Sequence, residues 1–234
     1  MRAFFALLAW VWVIIYPAGA NASISLSATR VIYDGNQKEA SLNVLNNSNH
    51  ETLIQSWLER GENSKSSMLF AVTPPLAKIK GNQKQLLRIL YLGSGLPQDK
   101  ESVFWLNVQE IPQQAEGKNN LQLALRQRVK LFYRPAGLTG SASLAPTELT
   151  VKALKDRLDF YNPTPYYINM ISFRQGGIDL KGKMIAPGES LTLEAPGIRS
   201  LGKFDITVVN DFGGLSTYTG KFINGLSTGL DGDK

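Results

Sequence analysis

Residues 121–131 read Leu-Gln-Leu-Ala-Leu-Arg-Gln-Arg-Val-Lys-Leu and alternate apolar and polar side chains over most of their length. This period is typical of a β-strand with one face buried and the other in solvent. A strand whose flank is left open exposes unpaired backbone N–H and C=O groups to other chains. We therefore predict a long strand here, and we treat its flanks as a candidate surface for pairing.

The rest of the chain has the same character. Runs rich in β-branched or aromatic residues are separated by turns of Asn, Asp, Gly and Pro, and no long amphipathic helix appears. The predicted strands are residues 24–33, 39–45, 52–58, 86–92, 103–109, 121–133, 157–161, 166–173, 190–193, 204–209 and 216–222. Strands at this spacing indicate an all-β fold built from immunoglobulin-like β-sandwich domains.

The length of 234 residues, with 43% hydrophobic residues, suits two such domains behind an export signal. Residues 1–22 carry a basic start, an apolar stretch and an Ala-Asn-Ala cleavage site, so we predict a cleaved signal peptide. The small residues after position 135 mark the domain boundary, which gives domains at 23–138 and 139–234. Exported domains of this size often carry disulfides, but this chain has no cysteine and depends on burial alone.

Charge and residue types exclude several functions. The net charge is +6, or +5 without the signal, and the basic residues form no run, which argues against nucleic acid and suits an acidic partner or a carboxylate. The single histidine, His50, lies in an Asn/Ser-rich turn. With no cysteine and no glycine-rich phosphate loop, we predict no catalytic residue, metal site, cofactor or small-molecule substrate.

Six stretches resemble, in the same order, landmarks of the periplasmic pilus-assembly chaperones, the PapD-like family. The longest is residues 96–112, Leu-Pro-Gln-Asp-Lys-Glu-Ser-Val-Phe-Trp-Leu-Asn-Val-Gln-Glu-Ile-Pro. The others are residues 28–33, 73–75, 130–135, 162–167 and 210–214. Together they span nearly the whole mature chain, so the resemblance covers both predicted domains.

The resemblance implies a boomerang of two immunoglobulin-like domains with a cleft between them. Subunits of fimbriae in this pathway lack their last strand, and the chaperone supplies one, which is donor-strand complementation. The residues that match are Leu121, Leu123 and Leu125, which share one face of the predicted strand. Their full burial contributes about 5 to 9 kcal/mol gross. The alternative is that they are ordinary core residues, because every sandwich strand needs an inward face.

The resemblance also assigns charged residues. A subunit's terminal carboxylate is expected at Arg30 and Lys130, which would set the register of pairing. Lys130 occupies an even-numbered position whereas the leucines occupy odd-numbered ones, so a regular strand puts them on opposite faces. Either a twist or bulge brings them together, or the cleft approaches the even face. A salt-bridge network between the domains is expected from Glu101, Arg134 and Asp211.

Two functions from different classes remain open at this point. The first is a periplasmic chaperone that holds fimbrial subunits and delivers them to an outer-membrane usher. The second is an exported structural or adhesive immunoglobulin-like fimbrial protein. Two complete domains without cysteine favour the chaperone. An exposed apolar edge also favours self-association of the free protein, and the polar tail at 224–234 is expected to fray.

Overall fold

The computed structural model describes residues 23–61, 69–112 and 123–232. The predicted signal peptide and Leu121 lie outside these residues. The described chain is β throughout except for one 3-10 turn at Ala145–Glu148, which confirms the predicted all-β fold of two domains. None of its described segments is an apolar helix long enough to cross a membrane.

Over its described residues, the first domain is a sandwich of nine strands in two sheets. The strands are β1 (Ile24–Leu26), β2 (Arg30–Asp34), β3 (Ala40–Asn46), β4 (Thr52–Glu59), β5 (Phe70–Thr73), β6 (Leu76–Ile79), β7 (Lys84–Tyr91), β8 (Ser102–Ile111) and β9 (Arg126–Arg134). One sheet has the order β1-β3-β7-β5 and the other β2-β9-β8-β4-β6. Alternate residues meet between the sheets, among them the fully buried Phe104, Leu106 and Leu131. The peptide bond between Thr73 and Pro74 is cis.

The second domain is also a sandwich. Its strands are β10 (Thr150–Leu154), β11 (Arg157–Tyr161), β12 (Ile168–Gln175), β13 (Ile178–Lys181), β14 (Met184–Ile185), β15 (Ser190–Glu194), β16 (Gly202–Val209), β17 (Leu215–Phe222), β18 (Leu226–Thr228) and β19 (Asp231–Gly232). One sheet has the order β15-β11-β10-β18, and the other is β13-β12-β16-β17-β19 with β14 beside β12. Stacked phenylalanines, including Phe173 and Phe204 with ring centroids 5.1 Å apart, fill its centre.

The strand predicted at residues 24–33 is wrong in one respect, because the structure divides it into β1 and β2. Ile24 is buried at an even position, whereas Val31 and Tyr33 are buried at odd positions. No regular strand buries both sets on one face. The chain therefore bends between them and passes from one sheet to the other, so that β1 pairs with β3 and β2 pairs with β9.

The C-terminal segment is a second correction. We predicted that residues 224–234 fray, but β18 pairs with β10 and β19 pairs with β17. Leu230 is buried in the core of the second domain. The segment is glycine-rich and polar, and its local composition carries no information about the distant strands that pair with it.

Candidate functional site: the open flank of β9

Strand β9 pairs with a neighbour along nearly all of one flank but along only part of the other. It pairs with β8 from Arg126 to Tyr133, in antiparallel register without a shift. On its other flank it pairs with the parallel strand β2, which begins at Arg30 opposite Lys130. In the described chain no strand pairs with this second flank before Lys130. Residues 126–129 of β9, together with residues 123–125 that lead into it, therefore form an open flank.

The backbone groups of this open flank alternate in direction. Glu110 donates its N–H to the carbonyl oxygen of Leu125 at 2.9 Å, which places odd-numbered backbone groups toward β8. In an antiparallel ladder the intervening residues direct their N–H and C=O groups to the opposite side. Arg126 and Arg128 therefore present their backbone donors and acceptors to the open flank.

The leucines beside this flank lie beyond the core of the first domain. Val129 and Leu131 are buried, but Leu125 is 46% exposed and Leu123 is 67% exposed. Val129 and Leu131 lie on one face of β9, and Leu123 and Leu125 precede its first residue, Arg126, so the apolar positions continue past the point where the sandwich covers them. The third predicted leucine, Leu121, lies outside the described residues.

Two cations stand at the end of the open flank. Arg30 and Lys130 are register partners on β2 and β9. Arg30 donates from Nη1 to the carbonyl oxygen of Val209 at 3.2 Å, and Lys130 donates from Nζ to Oδ1 of Asn169 at 2.9 Å. Burial lowers the pKa of Arg30 and, together with the neighbouring Arg30 charge, that of Lys130.

The parity question has a simple answer in the structure. The register of β8 and β9 has no shift between Arg126 and Tyr133, so no bulge turns Lys130 around. Instead the even face of β9 meets the second domain. Phe132, two positions further along, lies with its ring centroid 5.7 Å from that of Tyr167. Strand β9 therefore presents Lys130 to the cleft on its even face, and its odd face carries the buried Val129 and Leu131.

Sequence reasoning missed three residues beside the cations. Trp105, opposite Lys130 on β8, has its ring 5.5 Å from Nζ of Lys130 and 4.3 Å from the guanidinium of Arg128. These distances are those of cation–π contacts. Asn169 and Val209 accept the hydrogen bonds of the two cations. Trp105 belongs to the 96–112 motif, whereas no local signal marks the other two.

The three charged residues expected between the domains come together. Arg134 donates from Nε to Glu101 at 2.7 Å and from both terminal nitrogens to Asp211 at 2.9 and 3.2 Å. Glu101 also accepts the backbone N–H of Tyr167 at 2.8 Å and donates its own N–H to the carbonyl of Pro165. Burial raises the pKa of Glu101, and the Arg134 charge and the Tyr167 N–H act in the opposite direction.

We also predicted that the chain has no metal site and no catalytic histidine. Within residues 23–61, 69–112 and 123–232 no three His, Asp or Glu side chains are grouped to hold a metal. His50 is exposed in the turn between β3 and β4.

Comparison with known proteins gives a consistent result over both domains. The model for "Pili and flagellar-assembly chaperone, PapD N-terminal domain" matches residues 23–139. The model for "Pili assembly chaperone PapD, C-terminal domain" matches residues 144–220. The open flank, both cations and all three interdomain ion-pair residues fall within these matches.

Individual relatives agree with the family models. The chain is 44% identical over 197 residues to the probable fimbrial chaperone LpfB of Escherichia coli O157:H7, covering 81% of this chain and 84% of that protein. It is 38% identical over 216 residues to the chaperone protein FocC of Escherichia coli, covering 90% and 95%. A chain in the solved complex of the Salmonella enterica SafA pilin with the SafB chaperone matches with a TM-score of 0.76 and 32% identity, over 88% of this chain and 97% of that one.

Proposed function

Because this chain belongs to the family of PapD-like pilus-assembly chaperones, we propose that it binds fimbrial subunits by donor-strand complementation at the open flank of β9. The family consists of chaperones rather than enzymes, and the chain is accordingly a chaperone for pilus subunits. The finer proposal is that β9 completes the sandwich of a subunit that lacks one strand.

The exposure of Leu123 and Leu125 beside unpaired backbone is the observation that carries the proposal. Each leucine contributes about 1.5 to 3 kcal/mol when it is fully buried. The N–H and C=O groups of Arg126 and Arg128 supply direction and strand pairing. A partner strand on this flank gains both contributions at once, as in other cases of β-augmentation.

The two cations supply a definite end to the pairing. A leucine strip alone tolerates a slip by two residues, because the same face stays buried. Arg30 begins β2, so a partner strand must stop there, and its terminal carboxylate then lies beside Arg30 and Lys130. Such charge-assisted hydrogen bonds contribute about 1.5 to 3 kcal/mol each. A strand that ends with its carboxylate at this point runs parallel to β9, as β2 does.

The proposal extends to the cellular setting. The predicted signal at residues 1–22 and the family both support a periplasmic location. There the protein would hold subunits until an outer-membrane usher receives them. The same open flank would favour self-association of the free protein, since two copies would cover each other's leucines. No cofactor takes part in this scheme.

Capture of subunits from the periplasm tests the proposal. The tagged protein is isolated from periplasmic extracts, and the bound proteins are identified by mass spectrometry. Arg30→Ala leaves the partner carboxylate unpaired, and we expect it to weaken complexes by about 2 to 5 kcal/mol while the free protein stays folded. Arg88→Ala is the matched control, because Arg88 is an exposed arginine of the same domain paired with Glu39. Equal recovery with Arg30→Ala and Arg88→Ala would refute the carboxylate anchor.

A further inference from the structure

A cavity of about 200 Å³ lies between the two domains. Phe132 contributes a wall from the first domain, and Tyr167, Ile168 and Val208 contribute walls from the second. Phe132, Ile168 and Val208 are buried. These walls are apolar, and the ion pairs between the domains leave the space unfilled. The proposed strand pairing makes no use of this cavity.

The cavity adjoins the two cations. Asn169 and Val209 line it, and the same two residues accept the hydrogen bonds of Lys130 and Arg30. A carboxylate that displaces or shares these bonds would therefore lie at the edge of the cavity. The atom that bears such a carboxylate is the last Cα of the partner chain, which also bears its last side chain.

The distance from Lys130 to the Phe132 wall of the cavity can be bridged by the last side chain of a partner. Phe132 follows Lys130 by two positions on the same face of β9, which is about 7 Å along a strand. The ring of a phenylalanine extends far enough from its own Cα to come into van der Waals contact with a group at this distance, and a leucine side chain is shorter. A side chain attached to a carboxylate held by Arg30 and Lys130 therefore reaches the Phe132 wall without distortion of the partner strand.

The lining also selects among side chains. A cavity of about 150 Å³ lined by apolar groups accommodates benzene, so this one admits a phenyl ring. The carboxylates of Glu101 and Asp211 lie on its border, and both are already engaged by Arg134. An acidic side chain would meet like charge there and lose its hydration.

We infer that the interdomain cavity is a subsite for the last side chain of the bound subunit and that it selects uncharged apolar or aromatic residues over acidic ones. This inference rests on the proposed function, since the carboxylate anchor brings the side chain to the cavity. It adds a determinant of partner choice that depends on the chemistry of a single residue.

Fluorescence anisotropy with defined peptides tests the inference. The probe is a fluorescein-labelled peptide of two lysines followed by alternating threonine and valine, ending in a free carboxylate on glycine, phenylalanine or aspartate. We expect the phenylalanine peptide to bind about tenfold more tightly than the glycine peptide, because burial of a phenyl ring outweighs its lost freedom. The aspartate peptide should bind more weakly than the glycine peptide.

Two variants that fill the cavity complete the design. Ala142→Phe and Ser216→Phe place a ring in it from two different segments. Either variant that stays folded should bind phenylalanine and glycine peptides equally, with glycine binding unchanged. Ala71→Phe, at an exposed position on β5 of the first domain, is the matched control and should keep the preference.

The outcomes separate this inference from the proposed function. If the glycine peptide binds and Arg30→Ala abolishes that binding, but phenylalanine gives no advantage, the subsite is refuted and the anchor stands. A preference that survives in both filled variants also refutes the subsite. If no peptide binds the wild type, or Arg30→Ala changes nothing, the anchor fails and the inference fails with it.

Discussion

At the scale of residues, the notable feature is a pair of cations placed side by side. Arg30 and Lys130 adjoin each other on parallel strands, and in the described chain their hydrogen-bond acceptors are neutral oxygens of Val209 and Asn169. Two like charges in partly buried positions cost stability unless an anion joins them. Such a local cost is expected where a protein keeps a site ready for a ligand.

Lys130→Met tests this cost directly. The pKa of Lys130 is lowered, so the unfolded chain holds this proton more tightly than the folded one. We expect the free variant to be at least as stable as the wild type at pH 7 in urea unfolding. The free energy of unfolding of the wild type should then rise relative to that of the variant as the pH rises toward the ordinary lysine pKa of about 10.4. A variant clearly less stable at pH 7, with no such trend, would contradict the assigned cost.

At the scale of elements, β9 is one strand with two environments. From Lys130 onward it has neighbours on both flanks, and its odd face lies in the core. Before Lys130 one flank is open, and Leu123 and Leu125 face solvent. The change coincides with the start of β2. The short strand β2 therefore sets how much of β9 is available to a partner.

Leu123→Glu separates partner binding from stability. Leu123 is 67% exposed, so we expect little change in melting temperature but loss of subunit capture, because a charge would enter the partner's core. Leu86→Glu changes an exposed leucine on β7 of the same domain and should leave capture intact. Leu131→Ala, at a buried position, should cost about 2 to 5 kcal/mol of unfolding free energy. A large loss of melting temperature in Leu123→Glu would place that leucine in the resident core.

A pair of proline variants tests the direction of the backbone groups. The N–H of Arg126 faces the open flank, so Arg126→Pro removes a donor that only a partner uses. We expect weakened capture and a small change in unfolding free energy. Gln127→Pro removes a donor to β8 and should destabilise the domain by about 3 kcal/mol relative to Gln127→Ala. The alanine variant corrects for the side-chain bond from Gln127 to the carbonyl of Ile24. Equal effects of the two prolines would show that the register is wrong.

At the scale of the whole molecule, Arg134 joins the domains through ion pairs. Arg134 comes from β9 of the first domain, whereas Asp211 belongs to the second, and Glu101 of the first domain is held by the backbone of Pro165 and Tyr167 in the second. The Glu101 side chain is 2% exposed and that of Asp211 is 37% exposed. The strand that offers the open flank thus also holds the interdomain angle, so the cleft and the flank are positioned together.

Arg134→Met should therefore be much more damaging than Asp211→Asn. Loss of the arginine leaves the buried Glu101 carboxylate unpaired, at a cost of about 3 to 5 kcal/mol. Asp211→Asn removes the charge of the more exposed partner and should lower the unfolding free energy by under about 1 kcal/mol. Urea unfolding measures both, and small-angle scattering should show a wider range of interdomain angles for Arg134→Met alone. If the two variants unfold alike, the network contributes no buried charge pair.

The sequence predicted most of the strands in the first domain but not how they associate. The alternation before Leu131 identified β9, although the strand was predicted at residues 121–133 and the structure begins it at Arg126. The burial of Phe104 and Leu106 follows from the same period in β8. Within residues 24–33 the apolar positions change from even to odd numbers, which indicates two strands, although we predicted one. Shorter strands, such as β13 and β18, were missed because a few residues carry too little periodicity to identify them.

The sequence by itself determined the fold class, the face that each strand buries and the chemical types available to a site. These depend on a local period and on residue identity, which are present in every short segment. Only the tertiary structure decided that one flank of β9 stays open before Lys130, that its even face meets the second domain, and that a cavity adjoins the cations. Each of these depends on which distant segments pair, and the start of β2 at Arg30 and the approach of Asn169 and Val209 leave no mark on the local pattern of β9.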